Sequence, residues 1–183
     1  MNKKINFDIG SVFYILAYSI IAVVFSILQT TLSSRFNIYN AIPDIVVGSV
    51  IYLGIYRGKN TAALFGLFTG LCVDGLGNFG ISFLPFFYCI IGIICGHIGK
   101  AAREGAKFAA FSVSVPAICL ARVFITYIDC LIKYGETLNY KQFLLLTALP
   151  EFVSTLALCF PVFLITFILE SPLNLARKMG WID

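Results

Sequence analysis

The sequence predicts an all-α integral membrane protein, a bundle of six transmembrane helices filling one domain from residue 1 to residue 183. Three observations carry that reading. The composition is 60% hydrophobic and only 12% charged, against about 25% charged in an ordinary soluble domain. Mean hydropathy is +0.94. The apolar residues also gather into six runs separated by short polar or basic connectors, none of them long enough to fold a soluble catalytic or nucleic-acid-binding domain.

The first ten residues are polar and carry Lys3 and Lys4, and the apolar run that follows gives helix 1 at about 11–32. Its apolar core exceeds the roughly 7 to 15 residues of a signal-peptide h-region, and TTLSSRF lacks an A-x-A-like cleavage site, so the segment is expected to be retained. Gln29, Thr30 and Thr31 mark its polar exit. Helix 2 is expected at 43–56, with Pro43 in its first turn, where the missing N–H is not needed. Arg57, Gly58, Lys59 and Asn60 form a basic turn into helix 3, at 61–74.

Both of these segments fall short of the ~20 residues of a perpendicular span. A rise of 1.5 Å per residue puts Asp44 and Asp74 each roughly 20 Å from the basic turn, short of the far surface and beside a depression there. Residues 75–82 are a glycine-rich linker, expected to dip into that depression. Helix 4, at 83–99, opens with the aromatic residues Phe83, Phe86, Phe87 and Tyr88, as an interfacial belt does. A basic connector leads to helix 5, at 108–132, which contains Pro116 and should kink there. Helix 6, at 144–169, starts near Pro150 and Glu151 and is followed by a tail with Arg177, Lys178 and Trp181.

Lysine and arginine are distributed unevenly among the connectors. Nine lie on the side shared by the two ends of the chain, and three (Arg35, Lys133 and Lys141) on the other. The positive-inside rule therefore puts both termini in the cytoplasm and makes this a multi-pass protein. Asp44, Asp74, Asp129 and Glu151 then fall in the outer half together with Arg122, the one intramembrane base.

A carboxylate in hydrocarbon is costly unless paired. Arg122 and Asp129 are seven residues apart on one helix face but about 10 Å apart along it, so Arg122 is expected to reach Asp74 or Asp44 instead. This polar group has two readings: an ion pair that fixes helix register, or an outer pocket for a solute or a partner's segment.

Gly66 and Gly70 in GLFTG, and Gly92 and Gly96 in GIICG, are spaced for close helix approach. Packing within the chain is favoured over a dimer seam. The six cysteines lie in apolar runs without metal-binding spacing and read as small buried hydrophobes. The lone His97 reads as an interfacial or packing residue. No Walker loop, HExxH, GxSxG or Cys/His constellation occurs, so the sequence points to no enzyme, metal or cofactor, and to no nucleic acid.

The Pro43–Asp44 pair, the basic turn, Gly66, Gly70 and Asp74 in G-x3-G-x3-D, the linker ending at Gly80, and the aromatic-led helix 4 together resemble the rod shape-determining protein MreD family. The motif-bearing part covers Pro43 to Gly99; helices 1, 5 and 6 fit mainly by hydropathy. The resemblance implies a non-enzymatic subunit of the bacterial cell-elongation (rod) complex in the cytoplasmic membrane. Its implied partners are a single-span MreC-like protein, the actin-like MreB filament and the peptidoglycan synthases of the lateral wall. Family members vary at the acid after the proline, which ranks Asp44 below Asp74. The family is also similar in fold to the substrate-binding membrane subunits of energy-coupling-factor vitamin transporters, so solute uptake is the competing expectation.

Overall fold

A computed structural model describes residues 9–35, 43–76, 83–134 and 140–178, and these are all helical apart from short connecting segments. The helices are α1 (Ile9–Arg35), α2 (Val46–Arg57), α3 (Lys59–Leu76), α4 (Leu84–Ala101), α5 (Lys107–Tyr134), α6 (Tyr140–Phe143) and α7 (Leu149–Lys178). A 3-10 turn, Glu104–Ala106, leads into α5, and a π-helical turn, Leu144–Ala148, joins α6 to α7. Among the described residues, three stretches are long and apolar enough to cross a membrane: Leu84–Ala101, Glu104–Ile132 and Leu144–Leu169. Ala17–Thr31 and Val46–Arg57 are apolar but shorter.

The bundle is built around α2. All of its residues from Val46 to Ile55 are buried, which is the expected state of a helix apolar on every side. It packs against α3, α4, α5 and α7, while α1 lies mainly on α3. Two glycines let the neighbours close in. A Cβ at Gly48 would stand 3.1 Å from Cys159 Cα on α7, and one at Gly54 would stand 2.5 Å from Cys95 Cβ on α4.

The outward faces of α5 and α7 are apolar, with Val113, Leu120, Phe124 and Ile132 on the one and Leu164, Phe167 and Ile168 on the other all exposed. A continuous surface of this kind suits hydrocarbon rather than water.

Several boundaries differ from those expected. Pro43 and Asp44 precede α2 instead of opening it. The turn between α2 and α3 contracts to Gly58 alone, whose φ of +97° is left-handed backbone that glycine adopts without penalty. Its N–H closes α2 on the carbonyls of Leu53 and Gly54, at 3.1 Å each. Lys59 and Asn60 are thereby already helical, and α3 extends to Leu76. Of these two helices α2, with 12 residues, is much the shorter, and α3 has 18, so the depression expected from two short helices rests mainly on α2. The last helix runs on to Lys178, through residues read from the sequence as a tail. The linker segment 77–82, with Gly80, lies outside the described residues.

The glycine pairs of α3 and α4 face each other. A Cβ at Gly66 would meet the carbonyl oxygen of Tyr88 at 2.6 Å, one at Gly70 the Cα of Pro85 at 2.5 Å, and one at Gly92 the backbone of Ala62 at 2.6 Å. Gly96 and Gly99 continue the stripe against Lys59 and Ile55. These glycines are thus used within the chain, where they bring the α3 and α4 backbones together. His97 is on the exposed side of α4, away from this seam.

Candidate functional site

The two ends of α2 are held differently. At the Arg57 end the contacts are aromatic: Tyr52 stacks on Tyr56 with centroids 4.8 Å apart, and Phe163 of α7 meets Tyr52 edge-on at 5.3 Å and lies 4.7 Å from Phe111 of α5. Lys107, at the start of α5, sits over the Tyr56 ring at 5.7 Å and bonds to Glu104 at 2.7 Å. At the Pro43 end the contacts are polar and converge on one carboxylate.

Asp44 is completely buried. Its Oδ2 accepts a hydrogen bond from the Tyr88 hydroxyl of α4 at 2.7 Å and another from Arg122 Nε of α5 at 3.0 Å. Its Oδ1 accepts from the Val47 N–H at 3.2 Å. This is a capping bond, the usual way an aspartate satisfies a free amide at a helix start. The Asp44 N–H in turn donates to Thr155 Oγ1 of α7 at 3.1 Å.

The chain on either side of Asp44 is held by Gln29 of α1. Its Nε2 donates to the Pro43 carbonyl and its Oε1 accepts from the Ile45 N–H, both at 2.8 Å. A primary amide can satisfy one acceptor and one donor of an extended backbone at once, and the segment that precedes α2 has no helical partners of its own.

Glu151, in the first turn of α7, forms the other side of the cluster. It is 2% exposed. Its Oε1 accepts from the Thr126 hydroxyl at 3.0 Å and lies 3.9 Å from Arg122 Nε. Four helices and the segment ahead of α2 therefore meet at Asp44, Arg122 and Glu151. An arginine suits the position, because its charge is permanent and its planar donors can address carboxylates on two different elements.

The structure brings together three of the five charged residues singled out from the sequence. Of the two acids open to Arg122, it is Asp44 that forms the pair. Asp74 is half-exposed at the far end of α3, near enough to sense the guanidinium charge but in neither of the ion pairs that Arg122 makes. The ranking of Asp74 above Asp44 is thus reversed in the geometry. Asp129 lies on α5, seven residues past Arg122, with its side chain outside the described residues.

Gln29, Tyr88, Thr126 and Thr155 join the site without being marked in the sequence, where Gln29 reads as a polar helix exit and Tyr88 as part of an aromatic belt. Tyr88 did carry a signal: it is a phenol next to Phe86 and Phe87, able to donate at a depth where they cannot.

Removing the Gln29 amide should expose its importance. Gln29→Ala leaves a buried carbonyl and a buried N–H unpaired, at a cost of about 1–3 kcal/mol for each unsatisfied group. Thermal unfolding of the purified protein in detergent should show a clearly lowered midpoint, with Thr30→Ala, one residue away, much closer to wild type.

Comparison of the chain with protein-family models, with curated proteins and with solved structures gives no match.

Proposed function

We propose that the protein is a non-enzymatic membrane subunit of the MreD type, crossing the bacterial cytoplasmic membrane six times with both termini inside. It would dock an MreC-like single-span protein and so support cell elongation and lateral wall synthesis, with the actin-like filament and the peptidoglycan synthases close by. The placement of the termini rests on the uneven distribution of lysine and arginine among the connectors. The span count rests on the six apolar runs, of which three meet the length and hydropathy of a span by themselves.

One observation carries the reading further than hydropathy does. The Pro-Asp pair that the resemblance singles out is the segment on which the polar cluster converges: Pro43 is bound by Gln29, and Asp44 by Tyr88, Arg122 and Val47. Apart from the local Val47 bond these run between elements, and with the Asp44 N–H to Thr155 of α7 they tie α1, α4, α5 and α7 to the segment that starts α2. A scaffold needs this kind of tie, since a docking surface holds its shape only if the helices that form it keep their register. The apolar outer faces of α5 and α7 offer a partner's transmembrane helix a surface to pack on.

The test is affinity purification from native membranes under mild detergent. Recovery of a single-span protein with a large extracytoplasmic part, in stoichiometric amount, is the expected result. Isolation of the protein alone with a bound vitamin, or with a transporter ATPase, would overturn the proposal in favour of solute uptake.

A further inference from the structure

The polar cluster does not balance in charge. Asp44 and Glu151 are both buried acids, and among the described residues the only cation bonded to either is Arg122. Their bonding is also unequal. Asp44 receives three donors, from the Val47 N–H, the Tyr88 hydroxyl and Arg122 Nε. Glu151 receives one hydroxyl, at Oε1, and stands at the edge of the guanidinium's reach. Its second oxygen, Oε2, is enclosed and has no hydrogen-bond partner.

An enclosed carboxylate oxygen that no protein donor reaches is a costly arrangement, and one more positive charge at that atom would remove the cost. We propose that the cluster binds one proton, held at Oε2 of Glu151. Its resting state is then the Asp44 carboxylate, the Arg122 guanidinium and a neutral Glu151 carboxyl.

Three observations favour the proton over a metal ion or a partner's cationic side chain. Oε2 is sealed from the surface, and a proton needs no added volume there. The groups aimed at the two acids are donors: two hydroxyls, a backbone N–H and the guanidinium. A metal ion needs lone pairs instead, and no group of three His, Cys, Asp or Glu side chains able to hold one occurs among the described residues.

The other titratable groups near Glu151 are Asp44 ahead of α2 and Arg122 and Cys119 on α5, while Tyr88 on α4 and Cys159 on α7 face the Asp44 side of the cluster. Asp74 of α3 stands farther off, at the edge. The proposal stands on this charge count and does not depend on which partner the protein meets.

Infrared difference spectroscopy of the protein in nanodiscs reads the proton directly, through the carbonyl stretch of a neutral carboxyl group that shifts in D2O. Around neutral pH the wild type should show one such band. Glu151→Gln should abolish it while losing far less thermal stability than Arg122→Ala, because glutamine keeps the Oε1 acceptor and puts a neutral NH2 where the neutral acid has its O–H. Asp44→Asn should also abolish it, since one acid then faces one guanidinium. Replacing sodium and potassium by choline should leave the wild-type band unchanged.

Absence of a Glu151-dependent band would overturn the proposal. So would a band that grows only when alkali cations are withdrawn, which would assign the site to an inorganic ion. A Glu151→Gln protein as unstable as one that has lost Arg122 would count against it equally. Because Glu151→Gln is close to isosteric with the neutral acid, the test remains decisive even if Asp44→Asn fails to fold.

Discussion

Arg122→Ala is expected to be among the most damaging single substitutions in the chain. It removes the counter-charge of a fully buried aspartate, together with the donor that reaches toward Glu151. Breaking a buried pair from one side typically costs about 3–5 kcal/mol, because the surviving charge is left in a poorly polarisable environment. That is a large fraction of the roughly 5–15 kcal/mol that separates folded from unfolded states in ordinary domains.

The expected readout is a steep fall in the thermal midpoint of the purified protein and in its steady-state level in membranes. Arg122→Lys should recover only part of the loss. A lysine keeps the charge but not the Nε–H that donates to Asp44 at 3.0 Å and lies 3.9 Å from Glu151. Asp74→Asn, at the half-exposed acid, should be mild by comparison.

Gly96→Val should damage the protein by another route. A Cβ at this position would stand 2.3 Å from the Cα and 2.4 Å from the amide nitrogen of Lys59. The obstruction is backbone, so no side-chain rotation relieves it, and α4 must move away from the start of α3. Overpacking a well-filled interior costs about 1–3 kcal/mol where side chains can adjust. Here the cost should lie at the upper end or beyond, and Gly92→Val should behave alike against Ala62. Gly75→Ala is the internal control. Nothing lies within 4 Å of its would-be Cβ, and alanine is the better helix former by about 0.5–1 kcal/mol. Unfolding in detergent should therefore rank Gly96→Val far below wild type and Gly75→Ala at or above it.

The helical character and much of the charged constellation could be read from the sequence because each rests on a strong, local signal. Buried charge is rare enough that Asp44, Arg122 and Glu151 stand out in apolar runs. A depth argument from 1.5 Å per residue is sound for grouping residues at one end of a bundle.

Depth does not give rotation about a helix axis, and for that reason Asp44 and Asp74 could not be ranked as partners for Arg122. Asp44 wins because it precedes α2 on a non-helical segment inside the bundle, which Gln29 pins on both sides. Asp74 sits at the half-exposed end of α3. The hydroxyl and amide members of the cluster were illegible for a different reason. Serine and threonine occur throughout these helices and commonly bond back to their own backbone, as Ser154 does to Pro150 and Thr166 to Val162. Thr126 is also placed to bond back to the Arg122 carbonyl, and nothing in the sequence marks its reach to Glu151, or that of Thr155 to Asp44, as different.

The boundary between α2 and α3 was misjudged because four polar residues suggested a four-residue turn, whereas a single glycine with positive φ suffices. The helix-facing role of the glycines, by contrast, followed from their spacing.

Coupling between Asp44 and Arg122 tests the architecture most directly. Two double-mutant cycles, Asp44→Asn with Arg122→Gln and Asp74→Asn with Arg122→Gln, can be measured by unfolding in the same detergent. Direct contact at 3.0 Å predicts strong non-additivity in the first cycle, within the roughly 0.5–3 kcal/mol found for contacting residues, and near-additivity in the second. Additive effects at Asp44 with coupling at Asp74 would contradict the structure's central feature and place the arginine on the other acid.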